Sequence, residues 1–434
     1  MNVLILGGGG REHAIVHALS KSKILGEDGR LHCAPGNPGI AKLAELHDFD
    51  PCSGAAASEF CRERNIGLVV VGPEAPLVAG VADDLRAAGV SVFGPGETGA
   101  ILEGSKAFAK NFMRRHGIPT ANFSVCKTLK SCEDALDLRN PPYVIKADGL
   151  AAGKGVFLPT DFTEAMRICE DLLSGEKLGA AGETVVIEDF LPGRELTVLA
   201  MTDGVALRVL SPGRDHKRAF DGDRGPNTGG MGAYCPVYLP DGVMERVEKQ
   251  VLIPTINGLR KDDIEYRGVI YAGLMLSEDC SSISVVEYNV RFGDPETQIV
   301  LPVLDDSFGD FGEVALACAE GRLSDLPTRE RDKPRHAVCV VLASGGYPGT
   351  FNKGFPITGL EDDLPDALVY HSGTRNSADG VVTSGGRVLT VVGIGDTFAA
   401  ARERAYERAG KINFEGMHYR RDIGWSEEGQ WANQ

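Results

Sequence analysis

Short apolar runs that end in glycine turns recur along the first hundred positions. Val3-Leu4-Ile5-Leu6 runs into Gly7-Gly8-Gly9-Gly10-Arg11-Glu12-His13. Leu31-His32-Cys33-Ala34 runs into Pro35-Gly36-Asn37-Pro38-Gly39, and Gly67-Leu68-Val69-Val70-Val71 into Gly72-Pro73-Glu74. Val90-Ser91-Val92-Phe93 is a fourth run. Such runs, bounded by turn residues, read as buried strands. After the first of them Ile15, Ala18 and Leu19 share one helix face, and residues 77–88 carry helical spacing. Strands and helices alternating at this interval predict a doubly wound parallel sheet, an α/β domain ending near residue 104.

The pattern then changes. Glu103-Gly104-Ser105-Lys106 opens a helix that reaches about residue 115, stopped by Gly117 and Pro119. Residues 120–195 read as a compact unit: a strand over 142–147, a glycine loop, a helix over 161–173 and a strand over 184–187. The loop is Lys146-Ala147-Asp148-Gly149-Leu150-Ala151-Ala152-Gly153-Lys154-Gly155. Its glycines permit close backbone approach, and its lysines supply charge for phosphates. Val156 follows Gly155, so it is not the G-x-x-x-x-G-K-[ST] loop. It reads as a β-turn lid over nucleotide phosphates, with a plain hairpin as the alternative. The next strand turns polar at Glu188-Asp189-Phe190-Leu191, where backbone groups can meet an adenine edge, and Glu195 can reach ribose hydroxyls.

Asp215-His216-Lys217-Arg218 and Gly225-Pro226-Asn227-Thr228-Gly229-Gly230-Met231-Gly232 read as a long charged connection, a binding loop. Within it His216 is expected at the surface and Met231 in packing. From about residue 329 an α+β tail follows, with strands over 337–342 and 387–392 and a terminal helix over 398–411. No metal-type constellation marks it, so a structural and substrate-lining role is expected.

The densest chemistry lies in Ser284-Val285-Val286-Glu287-Tyr288-Asn289-Val290-Arg291, followed by Phe292-Gly293-Asp294-Pro295-Glu296-Thr297. Side chains alternate across a strand, so Glu287, Asn289 and Arg291 line one face, with Val286, Tyr288 and Val290 on the other. A carboxylate, an amide oxygen and a guanidinium in one row suit magnesium with phosphates beside it. A solvated edge strand is the plain alternative. The turn with two more carboxylates at the strand end, with a helix over about 296–304 after it, favours a metal and phosphate site. At the chain start, the glycine turn before a helix is a further anion site with Arg11 beside it. Glu12 stands where G-x-G-x-x-G needs its last glycine, which disfavours a dinucleotide.

The bulk numbers narrow the class. A chain of 434 residues with net charge −16 lacks the basic face of a nucleic-acid binder. Ten cysteines without a C-x-x-C pair point to neither zinc knuckles nor secreted disulfides. No run approaches the roughly 20 apolar residues of a membrane helix, and no signal peptide precedes the first strand. A cytoplasmic enzyme acting on small molecules is expected.

Taken in order, Gly9 to His13, Gly72-Pro73-Glu74, Glu103 to Lys106, Lys146 to Gly155, Asp215-His216-Lys217, Pro226 to Gly232 and Arg291 to Glu296 resemble the glycinamide ribonucleotide synthetase family of ATP-grasp ligases. The Arg-Phe-Gly-Asp-Pro-Glu run is its most specific part. The resemblance implies three domains: 1–104, an ATP-grasp domain over 105–328 with a lid at about 120–195, and 329–434. It implies ATP and Mg2+ or Mn2+ as cofactors, with glycine and 5-phosphoribosylamine joined through glycyl phosphate. It further implies the single-activity form; a monomer with no nucleic-acid or membrane partner is expected.

By the same resemblance Lys106, Lys146, Gly153, Lys154 and Gly155 hold ATP phosphates, Glu188, Asp189, Phe190 and Leu191 the adenine, and Glu195 the ribose. Glu287 and Asn289 bind metal, and Arg291, Asp294 and Lys146 are catalytic. Substrate contacts fall to Gly9, Gly10, Arg11, Glu12, His13, Asp215, Lys217, Gly229, Gly230, Met231, Arg291, Pro295 and Glu296. Related ligases carry a third acidic metal ligand on the preceding strand, but Tyr271-Ala272-Gly273-Leu274-Met275-Leu276 offers none. Two readings compete: another ATP-grasp carboxylate–amine ligase, and a non-catalytic nucleotide sensor.

Overall fold

The computed structural model describes residues 1–150, 155–175, 182–327, 335–378 and 380–425. Gly153 and Lys154 lie outside the described residues. The chain opens with β1 (Asn2–Gly7), α1 (Gly10–Leu19), β2 (Leu31–Pro35), β3 (Glu45–Leu46), α2 (Gly54–Arg64) and β4 (Ile66–Val71). It continues through α3 (Glu74–Val78), α4 (Val81–Ala87), β5 (Ser91–Phe93), α5 (Glu97–Gly104) and α6 (Lys106–Arg115). The strands form a parallel sheet in the order β3-β2-β1-β4-β5, the doubly wound arrangement expected. Val3 to Leu6 and Leu68 to Val70 are fully buried, because helices cover both faces of the sheet. The single helix expected over 77–88 is instead two, α3 and α4. Gly80 separates them at φ +77°, a left-handed conformation that ends one helix and caps the next.

A small antiparallel sheet follows, built from β6 (Phe123–Cys126), β7 (Val144–Ala147), β8 (Val156–Phe157) and β9 (Val185–Glu188) in the order β6-β9-β7-β8. Helices α7 (Leu129–Asp137) and α8 (Phe162–Leu173) cover it. In α8, Ala165, Ile168, Cys169 and Leu172 are buried, the i, i+3, i+4, i+7 stripe of an amphipathic helix. Asp161 caps that helix by accepting from the Glu164 N–H at 2.8 Å. These elements share an apolar cluster with Ile145, Val185 and Ile187, separate from the two large cores of the molecule.

The third sheet uses β10 (Arg194–Thr202) and β11 (Leu207–Val209). The stretch read as a loop is structured instead. It contains β12 (Arg214–Asp215), β13 (Arg218–Phe220), β14 (Arg224–Asn227) and β15 (Gly232–Cys235), with β13 and β14 paired as a hairpin. His216 is buried rather than at the surface, its Nε2 accepting the Gly424 N–H at 3.0 Å. Met231 is fully buried, as packing requires.

Helices α9 (Val243–Val247) and α10 (Ile253–Lys261) lead to β16 (Gly268–Leu276) and β17 (Ile283–Asn289), giving the antiparallel order β11-β10-β16-β17. The last part holds α11 (Glu296–Val300), α12 (Phe311–Glu320), β18 (His336–Ala343), β19 (Ala367–His371), β20 (Thr374–Ser377), β21 (Gly380–Thr383), β22 (Arg387–Gly395) and α13 (Phe398–Gly410). Its main sheet runs β12-β15-β18-β22-β19. The two strands flanking the 218–227 hairpin therefore belong to the C-terminal sheet, which ties that hairpin to the tail.

Candidate active site

A cavity of about 490 Å³ opens between the small β6–β9–β7–β8 sheet and the β10–β11–β16–β17 sheet, with residues from all parts of the chain in its wall. Strand β17 forms one side. Its pairing with β16 slips between Gly273 and Leu274, so Leu274 faces Val285 and Gly273 faces Glu287. That leaves Val286 as an extra residue, a bulge. Val285 and Val290 are buried in the core, Tyr288 is buried with part of its side chain at the cavity, and Val286 joins Glu287, Asn289 and Arg291 there. Strict alternation had put Val286 with Tyr288; the bulge turns it over.

Lysines converge on Glu287 from three elements. Lys106 stands at the start of α6, whose first turn is capped by Ser105 and by the Asp148 carboxylate, which accepts the Ala107 N–H at 2.6 Å. Its Nζ donates to the Gly149 carbonyl at 3.1 Å. Lys146 on β7 donates to the Val286 carbonyl at 3.2 Å, and Lys217 pairs with Glu195 at 2.7 Å. Burial alone would discourage a charge on Glu287, but Lys217, Lys146 and Lys106 hold its pKa below the ordinary carboxylate value. An ionised carboxylate beside the Asn289 amide oxygen is a donor set that fits a hard divalent ion completing its shell with phosphate oxygens. The β16 residue opposite Glu287 is Gly273, and no carboxylate comes from that strand.

Glu188 at the end of β9 is a buried hub. Its two oxygens lie 2.8 Å from Lys110 Nζ and 3.0 Å from Lys146 Nζ. Lys110 also donates to Thr120 Oγ1 at 2.7 Å, and burial lowers its pKa to about 8. A buried carboxylate shared by two lysines is tolerated because each charge has a partner, Lys110 having the Thr120 hydroxyl as well. Asp189, Phe190, Leu191 and Glu195 continue the wall beyond Glu188, and apolar Leu102, Met113, Leu158 and Met275 line the same cavity.

Arg291 is fastened to the N-terminal domain. Its guanidinium reaches Glu74 Oε2 at 3.1 Å, Glu103 Oε1 at 2.7 Å and Asn289 Oδ1 at 3.0 Å. Burial works against its charge, but the two carboxylates overcome this and raise its pKa. Glu103 in turn accepts the Val290 N–H at 2.8 Å. Asp294 lies 3.3 Å from Arg387 and accepts from Gln298 Nε2 at 2.7 Å. Arg387 also donates to the Gly229 and Asp294 carbonyls at 2.7 and 2.8 Å. Glu296 is buried and accepts the Tyr271 hydroxyl at 2.8 Å. Burial pushes the Asp215 pKa up to about 7, against the pull of Lys217 and with Glu296 and Glu195 adding to the rise.

Most of the residues chosen from the sequence meet at this cavity: Lys106, Lys146, Gly155, Glu188 to Leu191, Glu195, Asp215, Lys217, Gly229, Glu287, Asn289, Arg291, Asp294, Glu296 and Arg11 line it. Gly9, Gly10, Glu12, His13, Gly230, Met231 and Pro295 are not in its wall. The Gly9 N–H, expected to face an anion, donates to Glu12 Oε2 at 2.6 Å, and Glu12 Oε1 takes the Arg11 Nε at 2.6 Å. His13 Nδ1 accepts the His371 N–H at 2.9 Å. Gly230 and Pro295 back the cavity wall, since a Cβ on Gly230 would come within 2.5 Å of Pro295 Cδ.

Lys110, Arg387, Glu74 and Glu103 were not singled out as site residues. Lys110 follows Lys106 by four positions, on the same helix face, and that spacing was a usable signal. Nothing local marks Arg387, whose strand enters the site only through the C-terminal sheet.

Three sequence models of one family match the chain in order. They are the phosphoribosylglycinamide synthetase N domain over residues 1–103, its ATP-grasp (A) domain over 104–297 and its C domain over 337–426. The chain is 47% identical to the phosphoribosylamine–glycine ligase of Streptomyces coelicolor, over 98% of each. It is 43% identical to that of Caldanaerobacter subterraneus, over 98% of this chain and 99% of the relative. Among solved structures, the phosphoribosylamine–glycine ligase of Thermotoga maritima superposes with a TM-score of 0.84 at 37% identity, covering 98% of this chain and all of that one. A biotin carboxylase from Campylobacter jejuni, in a βγ-ATP complex, shares the fold at a TM-score of 0.73 and 12% identity, over 96% of this chain and 92% of that one.

Proposed function

This chain belongs to the phosphoribosylglycinamide synthetase family, and from that premise we propose how its residues carry out the ligation. The protein is an ATP-dependent ligase that joins glycine to 5-phosphoribosylamine, giving glycinamide ribonucleotide, ADP and phosphate in purine biosynthesis. The observation that carries the residue roles is the row Glu287, Asn289 and Arg291 opening onto one cavity with Lys106, Lys146 and Lys217.

ATP lies between the two sheets. Its adenine sits among Leu102, Met113, Leu158 and Met275, with the Glu188 to Leu191 backbone at its edge and Glu195 at the ribose. Lys106 and Lys146 meet the phosphates, with Gly155 beside them. Glu287 and Asn289 would hold magnesium or manganese, which supplies charge neutralisation between the phosphates when bound. A glycine carboxylate oxygen attacks the γ-phosphorus, the bond to ADP breaks, and glycyl phosphate forms. The phosphoribosylamine nitrogen then attacks the acyl carbon, phosphate leaves, and the nitrogen gives up a proton. Asp215, with a pKa near neutrality, is suited to accept it. Positioning and charge carry phosphoryl transfer, so no protein nucleophile is required. Arg291, Asp294 and Arg387 frame the end of the cavity where the anionic substrates enter, with Arg11 beside them.

The division into residues 1–104, 105–328 and 329–434, with a lid at about 120–195, is the functional partition we adopt; the separate apolar cluster of the lid sheet supports it. A cytoplasmic location is supported by ten free cysteines, and no described helix is long and apolar enough to cross a membrane.

The test is ADP release with glycine, MgATP and freshly generated phosphoribosylamine, each omitted in turn. Release requiring all three, with glycinamide ribonucleotide formed, is expected. ADP release independent of phosphoribosylamine would overturn the acceptor assignment, and tight nucleotide binding without turnover would overturn the catalytic one.

A further inference from the structure

At the edge of the N-terminal sheet, three side chains that play no part in the ligase cavity converge. His32 lies on β2, Glu45 faces it on β3, and His47 follows two residues later. His32 Nδ1 is 3.0 Å from His47 Nε2 and 3.7 Å from Glu45 Oε2. One ligand atom from each residue falls within 4.8 Å of the others. We propose that His32, Glu45 and His47 form a binding site for a divalent transition ion of the zinc class, separate from the catalytic cavity.

The spacing matches the chemistry. Zinc bonds imidazole nitrogen and carboxylate oxygen at about 2.0–2.2 Å, so neighbouring ligands in a tetrahedron stand roughly 3.3 Å apart. The separations of 3.0 and 3.7 Å bracket that value, and the Glu45 side chain is about half exposed, free to swing inward. The fourth position then faces solvent, as in sites with three protein ligands.

The rings are prepared for coordination. His32 is buried, and its Nε2 has no hydrogen-bond partner. All its polar contact is made through Nδ1, the nitrogen turned toward Glu45 and His47. Coordination there leaves the ring proton on Nε2, a tautomer open to the uncharged ring. Phe60 packs on both rings, at 4.5 Å from His47 and 5.6 Å from His32 between centroids, and supplies an apolar wall. Two imidazoles and one carboxylate select zinc, cobalt or nickel over magnesium, which prefers all-oxygen octahedral surroundings.

Such an ion would join the short edge strand β3 to β2. The turn after β2 supports the glycine turn of the first domain, with the Gly36 N–H donating to the Gly7 carbonyl at 3.1 Å and Asn37 Nδ2 to the Gly8 carbonyl at 2.9 Å. Stabilisation of this domain is the expected consequence, with the ligase reaction unaffected.

The full chain, stripped of metal, is titrated with Co2+ alone and followed by visible absorption. One equivalent with four-coordinate d–d bands and no sulfur charge-transfer band is expected. His47→Ala should abolish that equivalent and Glu45→Gln weaken it at least tenfold, both variants keeping ligase activity as the check on folding. Glu287→Gln should retain it, which separates this site from the catalytic one. Zn2+ should raise the melting temperature of the parent chain and leave that of His47→Ala unmoved. Absence of saturable binding, binding that survives both substitutions, or a thiolate band from the free cysteines would each overturn the proposal.

Discussion

Arg291 Nη2 stands 2.7 Å from Glu103 Oε1, and the other oxygen of that carboxylate accepts the Val290 N–H at 2.8 Å. One side chain from the end of α5 therefore holds both the guanidinium and the backbone of the strand that carries Glu287 and Asn289. Glu103 is a positioning residue. Glu103→Gln keeps the shape but removes a buried charge partner, and a lost hydrogen bond of this kind costs about 1–3 kcal/mol. The expected result is a fall in kcat larger than any change in KM for ATP, with Glu103→Asp restoring part of it. Unaltered kcat in steady-state ADP release would show that Arg291 holds its place without Glu103.

Glu287→Gln preserves volume but takes away the only negative charge on the Glu287, Asn289 and Arg291 row. Three lysines would then surround a neutral amide. ATP turnover should be lost, with circular dichroism and urea midpoint unchanged within error. Retained turnover at saturating Mg2+ would refute the metal assignment.

Arg387 bonds two carbonyls and one carboxylate at once, a use of the planar fork that a lysine cannot copy. Arg387→Lys should raise KM for phosphoribosylamine at least tenfold and leave KM for ATP nearly as it was. Equal effects on both constants would mean that the residue only stabilises the fold.

Gly230 has φ +111°, and a Cβ there would meet Pro295 Cδ at 2.5 Å. Left-handed backbone at a non-glycine residue costs of order 1–3 kcal/mol before the clash is counted. Gly230→Ala should lower the melting temperature and weaken phosphoribosylamine binding together, through displacement of Pro295 and Asp294. A variant as stable and active as the parent would disprove the tight approach.

Burial holds His13 at a pKa of about 3 and His371 at about 4, with the neighbouring histidine and Lys42 charges adding to the first and Lys42 to the second. Both lie below the unfolded value of about 6.5, so the unfolded chain gains protons first as pH falls. Their contribution is complete above about pH 6.5 and is lost as pH falls toward the folded values. At pH 5 the loss is at most about 2 kcal/mol for each. Urea midpoints should drop between pH 7 and pH 5, and His371→Asn should flatten that drop. An unchanged slope in the variant would rule these histidines out as the acid-sensitive contact between α1 and β19.

The elements legible from the chain were those with strong local signals. The four short apolar runs of the first domain became strands β1, β2, β4 and β5, and Asp161 capped α8 one residue before its start. Signals confined to one or two residues were weaker: Gly80 divided a helix that periodicity alone carries through, and a two-residue edge strand such as Glu45–Leu46 has no pattern of its own. His216, polar and flanked by charge, read as exposed because burial depends on Gly424, more than 200 positions away.

By itself the sequence determined the strand that bears Glu287 and Asn289, though it ends at Asn289 and not at Arg291, the lysines bracketing a glycine loop, and the parallel character of the first sheet. Each follows from backbone propensity and side-chain period, which are properties of neighbours in the chain. Only tertiary structure decided that a bulge would turn Val286 into the cavity, that Glu188 would be shared by Lys110 and Lys146, and that Arg387 would close the site from the C-terminal sheet. Those outcomes rest on the register between β16 and β17 and on the need of buried charges for partners. Both are fixed by contacts among residues far apart in sequence.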